Sequence, residues 1–403
     1  MSPEPRRRVL IVEPDCDGHH AFWLVLLVEA HRRAGWAVSV LGAAGDERVA
    51  AQAGLRGYSW SGVAWIQAVA PGRGGRDLVA QAASVAAERG VERVFFAFLD
   101  NVWGGLTTLA GEGRAALAGK VSGVWFHPYA LDAAWRWAPP LGKRWKERGR
   151  LHRFWATGAA AGLFASVYFL VEEGAERLRE VSPAVRSHVL ADPYEREPRL
   201  DREAAREWLG IGAGRMVFLH IGSPERRKGL PDVIEAFGRL AREAVAGATA
   251  QGRPLLLRVG RNDRLGAGER AALDALVEGG WATTVERHVP AEELMEYFAA
   301  SDWVLIPYRK FRYSSGILAN AAGAGRPVIA SGYGYIGRTV EAEKLGLVYR
   351  HGSARALAEA LGEASRSGGA EQVSFTIRAE SRAARAPEMF VRRMSEWLLP
   401  SPT

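Results

Sequence analysis

The residues best suited to chemistry lie in the segment 221–229, which reads Ile-Gly-Ser-Pro-Glu-Arg-Arg-Lys-Gly. An apolar, strand-like run precedes this segment, and a run with helical spacing follows it. Backbone amides at the start of a helix bind phosphate oxygens, and neighbouring cations strengthen that binding. Gly222, Ser223, Arg227 and Lys228 therefore predict a phosphate-binding loop. A solvated basic turn is the alternative that the residues alone leave open.

A second candidate is the segment 308–331, which reads YRKFRYSSGILANAAGAGRPVIAS. Ser314, Ser315 and Gly316 stand directly before a short helix of small residues, predicted over 317–324. Small residues let the backbone approach a ligand closely, and the start of the helix offers N–H donors to an anion. A tight turn that packs the helix on a sheet would use the same residue types.

The segment 15–20, Asp-Cys-Asp-Gly-His-His, follows the first predicted strand. Carboxylates and histidines can bind metals, but adjacent histidines point in different directions, so we expect no metal here. The segment is also not a dinucleotide fingerprint, because G-x-G-x-x-G is absent. Gly18 with its polar neighbours Asp17, His19 and His20 suits contact with a polar substrate.

His127 ends an apolar run, 121–126, that predicts a strand. A lone histidine is more often structural than catalytic. At the exit of a strand, where ligands of α/β proteins bind, a catalytic role is an equally good interpretation.

These candidates depend on alternating strands and helices, which favour parallel sheets covered by helices on both faces. Strands are predicted over 9–12, 36–41, 93–99, 121–126, 165–171, 216–221, 255–259, 303–306 and 327–330. Helices are predicted over 21–34, 78–89, 230–243, 291–300 and 317–324. A polar, proline-containing stretch over 191–198 indicates a linker. We therefore predict two consecutive α/β domains, 1–195 and 196–375, followed by a terminal segment, 376–403.

Composition supports this division and limits the function. The chain has 403 residues, 48% of them apolar and 24% charged, which suits two globular domains. One cysteine excludes an internal disulfide framework and a multi-cysteine zinc site. The start lacks the apolar run of a secretory signal, and the uncharged stretch 156–171 is too short to span a bilayer, so we expect buried interior there and a cytoplasmic location.

The net charge of +8 leaves several partners open. A basic surface attracts phosphate-bearing ligands, nucleic acid or anionic lipid. No nucleic-acid-binding motif is recognisable, so we expect no nucleic-acid partner. The basic, tryptophan-rich stretch 135–155 indicates either peripheral contact with a membrane or a phosphorylated acceptor, or an exposed helix whose tryptophans pack inward.

In combination, these segments resemble the retaining GT-B glycosyltransferases of family four. The most specific part runs from 216 to 348: the loop ending Arg-Lys-Gly-Leu, then ERHVPAEELMEYFAAS over 286–301, then Ser-Ser-Gly-Ile-Leu and Gly-Arg-Pro-Val-Ile-Ala-Ser. Over 1–200 the resemblance rests mainly on the Gly18 loop, His127 and the strand–helix alternation. It implies an α/β fold with two Rossmann-like domains that face each other across a cleft, and a final helix that returns to the first domain.

The resemblance also implies roles for individual residues. Lys228 and Arg227 match the cations that hold the donor diphosphate, and His127 matches a histidine near the transferred sugar; we take these three as catalytic. The acceptor would contact Asp17, His19 and His20. The predicted donor-binding residues are Gly18, Gly222, Ser223, Arg227, Lys228, His288, Val289, Ser314, Ser315, Gly316, Ile317 and Asn320.

The implied reaction moves a hexose from a nucleotide sugar to a hydroxyl acceptor with retention of configuration. The resemblance implies no metal and no cofactor, and it does not distinguish UDP from GDP. The acceptor would be a glycan, a lipid-linked sugar or a small metabolite. Two departures from the family stand out: its paired glutamates fall near Arg312 and on Asn320, and Ser223 replaces a frequent arginine. A catalytically silent homologue that binds a nucleotide sugar or glycan is therefore the alternative function.

Overall fold

A computed structural model describes residues 7–16, 18–42, 45–69, 75–129, 131, 143–244, 253–366 and 375–399. The chain forms two compact units, residues 1–191 with 388–403, and residues 192–387. The chain thus passes between the units at 191/192 and at 387/388, whereas the sequence predicted divisions at 195/196 and 375/376.

The first unit is built on a seven-stranded parallel sheet with the order β3-β2-β1-β4-β5-β6-β7. Its strands are β1 (Arg8–Glu13), β2 (Ala37–Gly42), β3 (Ala64–Gln67), β4 (Arg93–Phe96), β5 (Val121–Trp125), β6 (Phe164–Phe169) and β7 (Arg186–Val189). Its helices are α1 (Gly18–Arg33), α2 (Asp46–Gly54), α3 (Arg76–Glu88), α4 (Trp103–Leu106), α5 (Gly111–Ala116), α6 (Lys143–Ala156) and α7 (Glu172–Val181).

Helices cover both faces of this sheet because its central strands are apolar on both sides. In β1, Val9 and Ile11 enter one hydrophobic core, whereas Leu10 and Val12 enter the other. The terminal helix α16 (Pro387–Leu398) packs on the first of these cores. The ring centroids of Phe390 and Trp23 lie 5.0 Å apart, and Trp36 Nε1 donates a hydrogen bond to the carbonyl of Leu398 at 3.3 Å.

The second unit has a six-stranded parallel sheet with the order β10-β9-β8-β11-β12-β13. Its strands are β8 (Met216–Ile221), β9 (Pro254–Val259), β10 (Ala282–Val285), β11 (Trp303–Ile306), β12 (Val328–Ser331) and β13 (Gly346–Tyr349). Its helices are α8 (Arg202–Trp208), α9 (Leu230–Glu243), α10 (Ala267–Glu278), α11 (Ala291–Ala300), α12 (Gly316–Gly323), α13 (Gly334–Ala342), α14 (Ala354–Arg366) and α15 (Phe375–Ala384).

The strand order of the second sheet determines where a ligand can bind. β8 pairs with β9 on one side and with β11 on the other, so the order reverses at β8. In open parallel sheets ligands bind beyond the carboxyl ends of the strands at such a reversal. The loops after β8, β9 and β10 and the start of α12 meet at this edge.

Buried strands are predicted well from the sequence, and edge strands are not. β8, β11, α9 and α11 occupy the predicted residues. The sequence analysis missed β3, β7, β10 and β13, which lie at the edges of the two sheets and are mostly part-buried or exposed. The expectation of buried interior over 156–171 was wrong at its start, because Ala156, Thr157, Gly158 and Gly162 are exposed.

Within the part of the chain that the structure describes, no helix is both long and apolar enough to cross a bilayer. Of the basic stretch 135–155, residues 135–142 lie outside the described residues, as do the side chains of 143–148. In the rest of α6, Leu151, Phe154 and Trp155 are buried, whereas Arg150 and Arg153 are exposed. The described half of this helix therefore packs its apolar side chains inward.

Candidate functional site

A cavity of about 560 Å³ opens at the carboxyl edge of the second sheet. Four segments that are distant in sequence line it: the loops after β8, β9 and β10, and the first turn of α12. The lining residues are Ile221, Gly222, Ser223, Pro224, Lys228, Val259, Gly260, Arg261, Arg287, His288, Val289, Leu294 and Ile317. The cavity thus brings together six of the predicted donor-binding residues, and none of its lining residues is acidic.

The loop after β8 places a lysine directly over a glycine. Gly222 has φ +134°, and a Cβ atom built on it would lie 2.6 Å from Lys228 Nζ. The absence of a side chain at Gly222 therefore makes room for the ammonium group. Gly222 N also donates to the carbonyl of Val259 at 3.0 Å, which fixes the loop against β9.

A buried histidine holds the turn that carries this lysine. Residues Arg226–Lys228 form a single 3₁₀ turn, and His220 Nε2 lies 3.1 Å from the carbonyl of Lys228. Burial lowers the pKa of His220 to about 3, so its ring is neutral and Nε2–H donates to that carbonyl. The hydrogen bond fixes the backbone from which the Lys228 side chain extends.

The three cations of the loop are not equivalent. Arg226 pairs with Glu269 at 3.2 Å, and Arg227 pairs with Glu225 at 2.6 Å. Although burial opposes it, hydrogen bonds from Ser223 and Arg227 hold the pKa of Glu225 below its usual range. Among the described residues no carboxylate forms an ion pair with Lys228, which is therefore the loop cation available to an anionic ligand.

The first turn of α12 is capped by its own serine. Ser315 Oγ accepts a hydrogen bond from Ile317 N at 3.3 Å, as an N-cap does. Ser314 Oγ donates instead to Asp192 Oδ2 at 3.1 Å. Of the predicted residues of this segment, Ile317 lines the cavity. The Ser314 hydroxyl instead binds Asp192, the first residue of the second unit.

Asn320 does not reach the cavity. Its side chain is only 4% exposed, and its Oδ1 accepts a hydrogen bond from Glu195 N at 2.8 Å. The residue that stands in place of a glutamate in the sequence resemblance therefore joins α12 to the segment 192–197.

Seven lining residues were not among the predicted site residues: Ile221, Pro224, Val259, Gly260, Arg261, Arg287 and Leu294. Arg261 comes from the loop after β9, and Arg287, which directly precedes the predicted His288–Val289 segment, lies 3.3 Å from the hydroxyl of Tyr297. Gly260, the glycine that directly follows β9, is the feature of the sequence that could have indicated this part of the cavity. The short edge strand β10 concealed Arg287, because its sequence, ATTV, lacks a continuous apolar run.

In the first unit, the loop after β1 builds a small polar cluster. Gly18 begins α1 with φ +50°, and Asp17 lies outside the described residues. His20 Nδ1 lies 3.2 Å from Glu13 Oε1, and the His20 ring lies against the Phe98 ring, with centroids 4.1 Å apart and planes tilted by 31°. Burial raises the pKa of Glu13. Burial would lower the pKa of His20, but the hydrogen bond to Glu13 together with the negative charges of Glu13 and Asp15 outweighs that effect and raises it.

His19, the other predicted histidine of this loop, lies near Phe126. The His19 ring is 6.3 Å from Phe126, the residue before His127. Asp100 orients His127: its carboxylate accepts from the amides of Phe126 at 2.9 Å and His127 at 3.1 Å, and it lies 3.3 Å from His127 Nδ1. The His127 side chain is 44% exposed, so a ligand can reach it.

The comparison with protein families matches a part of the second unit, which contains the cavity. Residues 215–366 match the family model described as glycosyl transferases group 1. A search of the curated proteins finds no significant match.

Solved structures match over nearly the whole chain. Sucrose-phosphate synthase from Thermosynechococcus elongatus is 18% identical with a TM-score of 0.65, and the match covers 97% of this chain and 98% of that one. HepE from Anabaena, solved in complex with UDP-glucose, is 16% identical with a TM-score of 0.64, over 97% and 99% of the two chains. WaaG, a glycosyltransferase involved in lipopolysaccharide biosynthesis, is 17% identical with a TM-score of 0.63, over 96% and 99%.

These matches establish the fold. The chain has the two-domain α/β fold of the GT-B glycosyltransferases, and its second unit carries the sequence pattern of glycosyl transferases group 1. The predicted fold class is confirmed.

Proposed function

We propose that this protein is a glycosyltransferase that moves a hexose from a nucleotide sugar to a hydroxyl acceptor. The observation that carries the proposal is the Lys228 ammonium, which lies over Gly222 in the cavity and has no ion-paired carboxylate among the described residues. A diphosphate would supply the missing anion. The crystallised complexes of HepE with UDP and with UDP-glucose support a nucleotide sugar as the donor.

The reaction requires stabilisation of the leaving diphosphate. As the glycosyl–phosphate bond breaks, negative charge grows on the phosphate and positive charge on the sugar. Lys228 and the backbone amides at the start of α12 would bind that negative charge, and such stabilisation is usually the largest contribution to catalysis. Arg227, held by Glu225, would contribute through its charge rather than as a free ligand of the phosphate.

The acceptor proton needs no enzymic carboxylate. The departing phosphate oxygen can accept it on the face of the sugar that the diphosphate leaves, so the new bond forms on that face with retention of configuration. We assign His127, oriented by Asp100, to a hydrogen bond with the transferred sugar, and Asp17, His19 and His20 to the acceptor. Proton NMR of the product's anomeric coupling tests the retention.

We further propose that donor binding needs no metal ion, because the positive charges of Arg227 and Lys228 can offset the two negative charges of the diphosphate in place of a divalent ion. Arg150 and Arg153 on α6 are exposed and could hold the protein against an anionic membrane by charge alone. Flotation with vesicles of neutral and of anionic lipid tests that contact.

A second candidate function is a silent homologue that binds the nucleotide sugar without turnover. The observation that favours it is the lining of the cavity, which contains no acidic residue, together with the engagement of Asn320 by Glu195. Binding of a donor without release of nucleoside diphosphate, in any acceptor mixture, would establish it.

The test of the proposed function is the release of nucleoside diphosphate from a panel of UDP-, GDP- and ADP-sugars. We expect Lys228→Ala to lower turnover at least ~10²-fold, a loss of roughly 3 kcal/mol of transition-state stabilisation. Arg226→Ala is the matched control, because it removes a cation from the same turn that is already paired with Glu269. Equal turnover in Lys228→Ala and wild type would refute the assignment.

A further inference from the structure

A buried arginine lies behind the loop that carries Lys228. Arg258 is the last residue but one of β9, and its side chain is 0% exposed. Its Nη1 and Nη2 each donate to the carbonyl of Gly222 at 3.1 Å. Nη2 also donates to the carbonyl of Arg261 at 2.8 Å, and Nε donates to Asn262 Oδ1 at 2.9 Å. One guanidinium therefore joins the loop after β8 to the loop after β9.

The two loops that it joins meet through their glycines. Gly260 has φ +118°, and a Cβ atom built on it would collide with the carbonyl oxygen of Gly222 and lie 3.2 Å from Arg258 Nη1. The backbones can approach this closely only because Gly260 lacks a side chain. Both glycines line the cavity, so the hydrogen bonds of Arg258 determine the shape of its wall.

The charge of Arg258 is not neutralised by contact. Among the described residues no carboxylate forms an ion pair with it, and Glu286 attracts it only from a greater distance. Burial lowers the pKa of Arg258 to about 10, so the group is still cationic at neutral pH. A buried charge without a paired partner is costly to a folded protein. An anionic ligand above Gly222 would offset that cost.

We propose that Arg258 is a positioning residue for the donor diphosphate. Its hydrogen bonds fix the Gly222 and Gly260 turns, and its positive charge attracts the diphosphate. The inference rests on the proposed function and deepens it. Arg226 and Arg227 are already ion-paired, so Lys228 and Arg258 provide positive charge that no contacting carboxylate offsets.

The test compares a nucleoside diphosphate with its nucleoside, because only the former carries the diphosphate. Wild type is titrated with UDP, GDP and ADP by calorimetry, and the preferred base is then used as diphosphate and as nucleoside. Arg258→Gln keeps polar atoms for the carbonyl groups but removes the charge. We expect Arg258→Gln to lower the affinity for the diphosphate at least about tenfold and the affinity for the nucleoside less than about twofold.

Arg258→Lys is the rescue variant, since it keeps the charge and loses the planar fork. We expect it to restore most of the preference for the diphosphate over the nucleoside, even where thermal stability falls. Arg206→Gln is the matched control. Arg206 is also buried in the second unit, but it pairs with Asp302 at 2.6 Å and does not line the cavity. We expect this control to lower stability and to leave both affinities unchanged.

The outcomes separate the two proposals. If wild type binds no nucleoside diphosphate, the proposed function fails, and the inference fails with it. If wild type binds but Arg258→Gln weakens diphosphate and nucleoside equally, or Arg258→Lys loses as much of the preference for the diphosphate as Arg258→Gln does, the charge of Arg258 does not act on the diphosphate and the inference alone is wrong. Unchanged diphosphate affinity in a folded Arg258→Gln protein would overturn the inference as well.

Discussion

At the scale of single residues, the candidate site depends on space that a glycine leaves for a cation. Lys228 Nζ occupies the volume that a side chain at position 222 would fill. Gly222 also has φ +134°, a conformation that side-chain-bearing residues rarely adopt. Position 222 therefore excludes residues that carry a side chain, because Lys228 occupies the space and because the backbone conformation is one that such residues rarely adopt.

Gly222→Ala tests this arrangement. The new methyl group would displace the ammonium group, so we expect donor affinity to fall at least about tenfold, as for loss of a charge-assisted hydrogen bond of roughly 1.5–3 kcal/mol. Gly212→Ala is the control, because a Cβ atom there meets nothing within 4 Å. Calorimetric titration with UDP measures both variants. An affinity in Gly222→Ala equal to that of the control would show that the ammonium position does not matter.

At the scale of elements, α12 links the cavity to the segment where the second unit begins. Its first turn lines the cavity through Ile317, and Asn320 on the next turn binds Glu195 N. Tyr194 lies against Gly323, where a Cβ atom would come within 2.5 Å of the Tyr194 ring. The helix is therefore held by the chain that precedes α8 as well as by its own sheet.

Asn320→Ala would leave the Glu195 amide without its acceptor. We expect a loss of about 1–3 kcal/mol in the free energy of unfolding, the cost of an unsatisfied buried donor. Because the side chain does not line the cavity, the affinity of the folded protein for UDP should change less than about twofold. Chemical denaturation and calorimetry separate the two effects. A large loss of affinity without a loss of stability would place Asn320 in contact with the donor.

Helix α1 contains a histidine that makes the first unit sensitive to acid. His31 is fully buried and its Nδ1 donates to the carbonyl of Leu27 at 2.7 Å. Burial lowers its pKa from 6.5 to about 3. Above pH 6.5 neither the folded nor the unfolded chain protonates it. Between 6.5 and 3 only the unfolded chain does, so stability falls as the pH falls.

Each such histidine lowers the free energy of unfolding by up to about 1.4 kcal/mol per pH unit in that range. His31→Gln removes one titrating group, so we expect a shallower fall of stability between pH 6 and 4 than in wild type, as measured by urea unfolding (~1.4 kcal/mol per unit at most). A parallel fall in both proteins would mean that His31 is protonated in the folded state.

At the scale of the whole molecule, the features that could be predicted from the sequence are those marked by continuous apolar runs or by glycines in turns. The central strands and the Gly222 loop were predicted because apolar runs and glycines mark them locally. Arg258 was not, since a cation inside an apolar strand has no local signal of its partners. The hydrogen bond between Asn320 and Glu195 N was not predicted for the same reason, because the two residues are distant in sequence.

The charge on the loop also predicts how the intact protein behaves without divalent ions. Since Arg227 and Lys228 can offset the charge of the diphosphate in place of a divalent ion, EDTA should leave nucleotide-sugar binding within about twofold of its value in buffer alone. Thermal-shift titration in EDTA, magnesium or manganese measures this. Binding that disappears in EDTA and returns with either metal would show that the assignment of the diphosphate to Lys228 is wrong.

The most direct test of the central claim is a calorimetric titration of the full chain with UDP, GDP and ADP in wild type, Lys228→Ala and Arg226→Ala. We expect saturable binding of one nucleoside diphosphate to wild type and to Arg226→Ala, and binding at least about tenfold weaker to Lys228→Ala. Binding of none of the three to wild type, or equal binding to all three proteins, would contradict it.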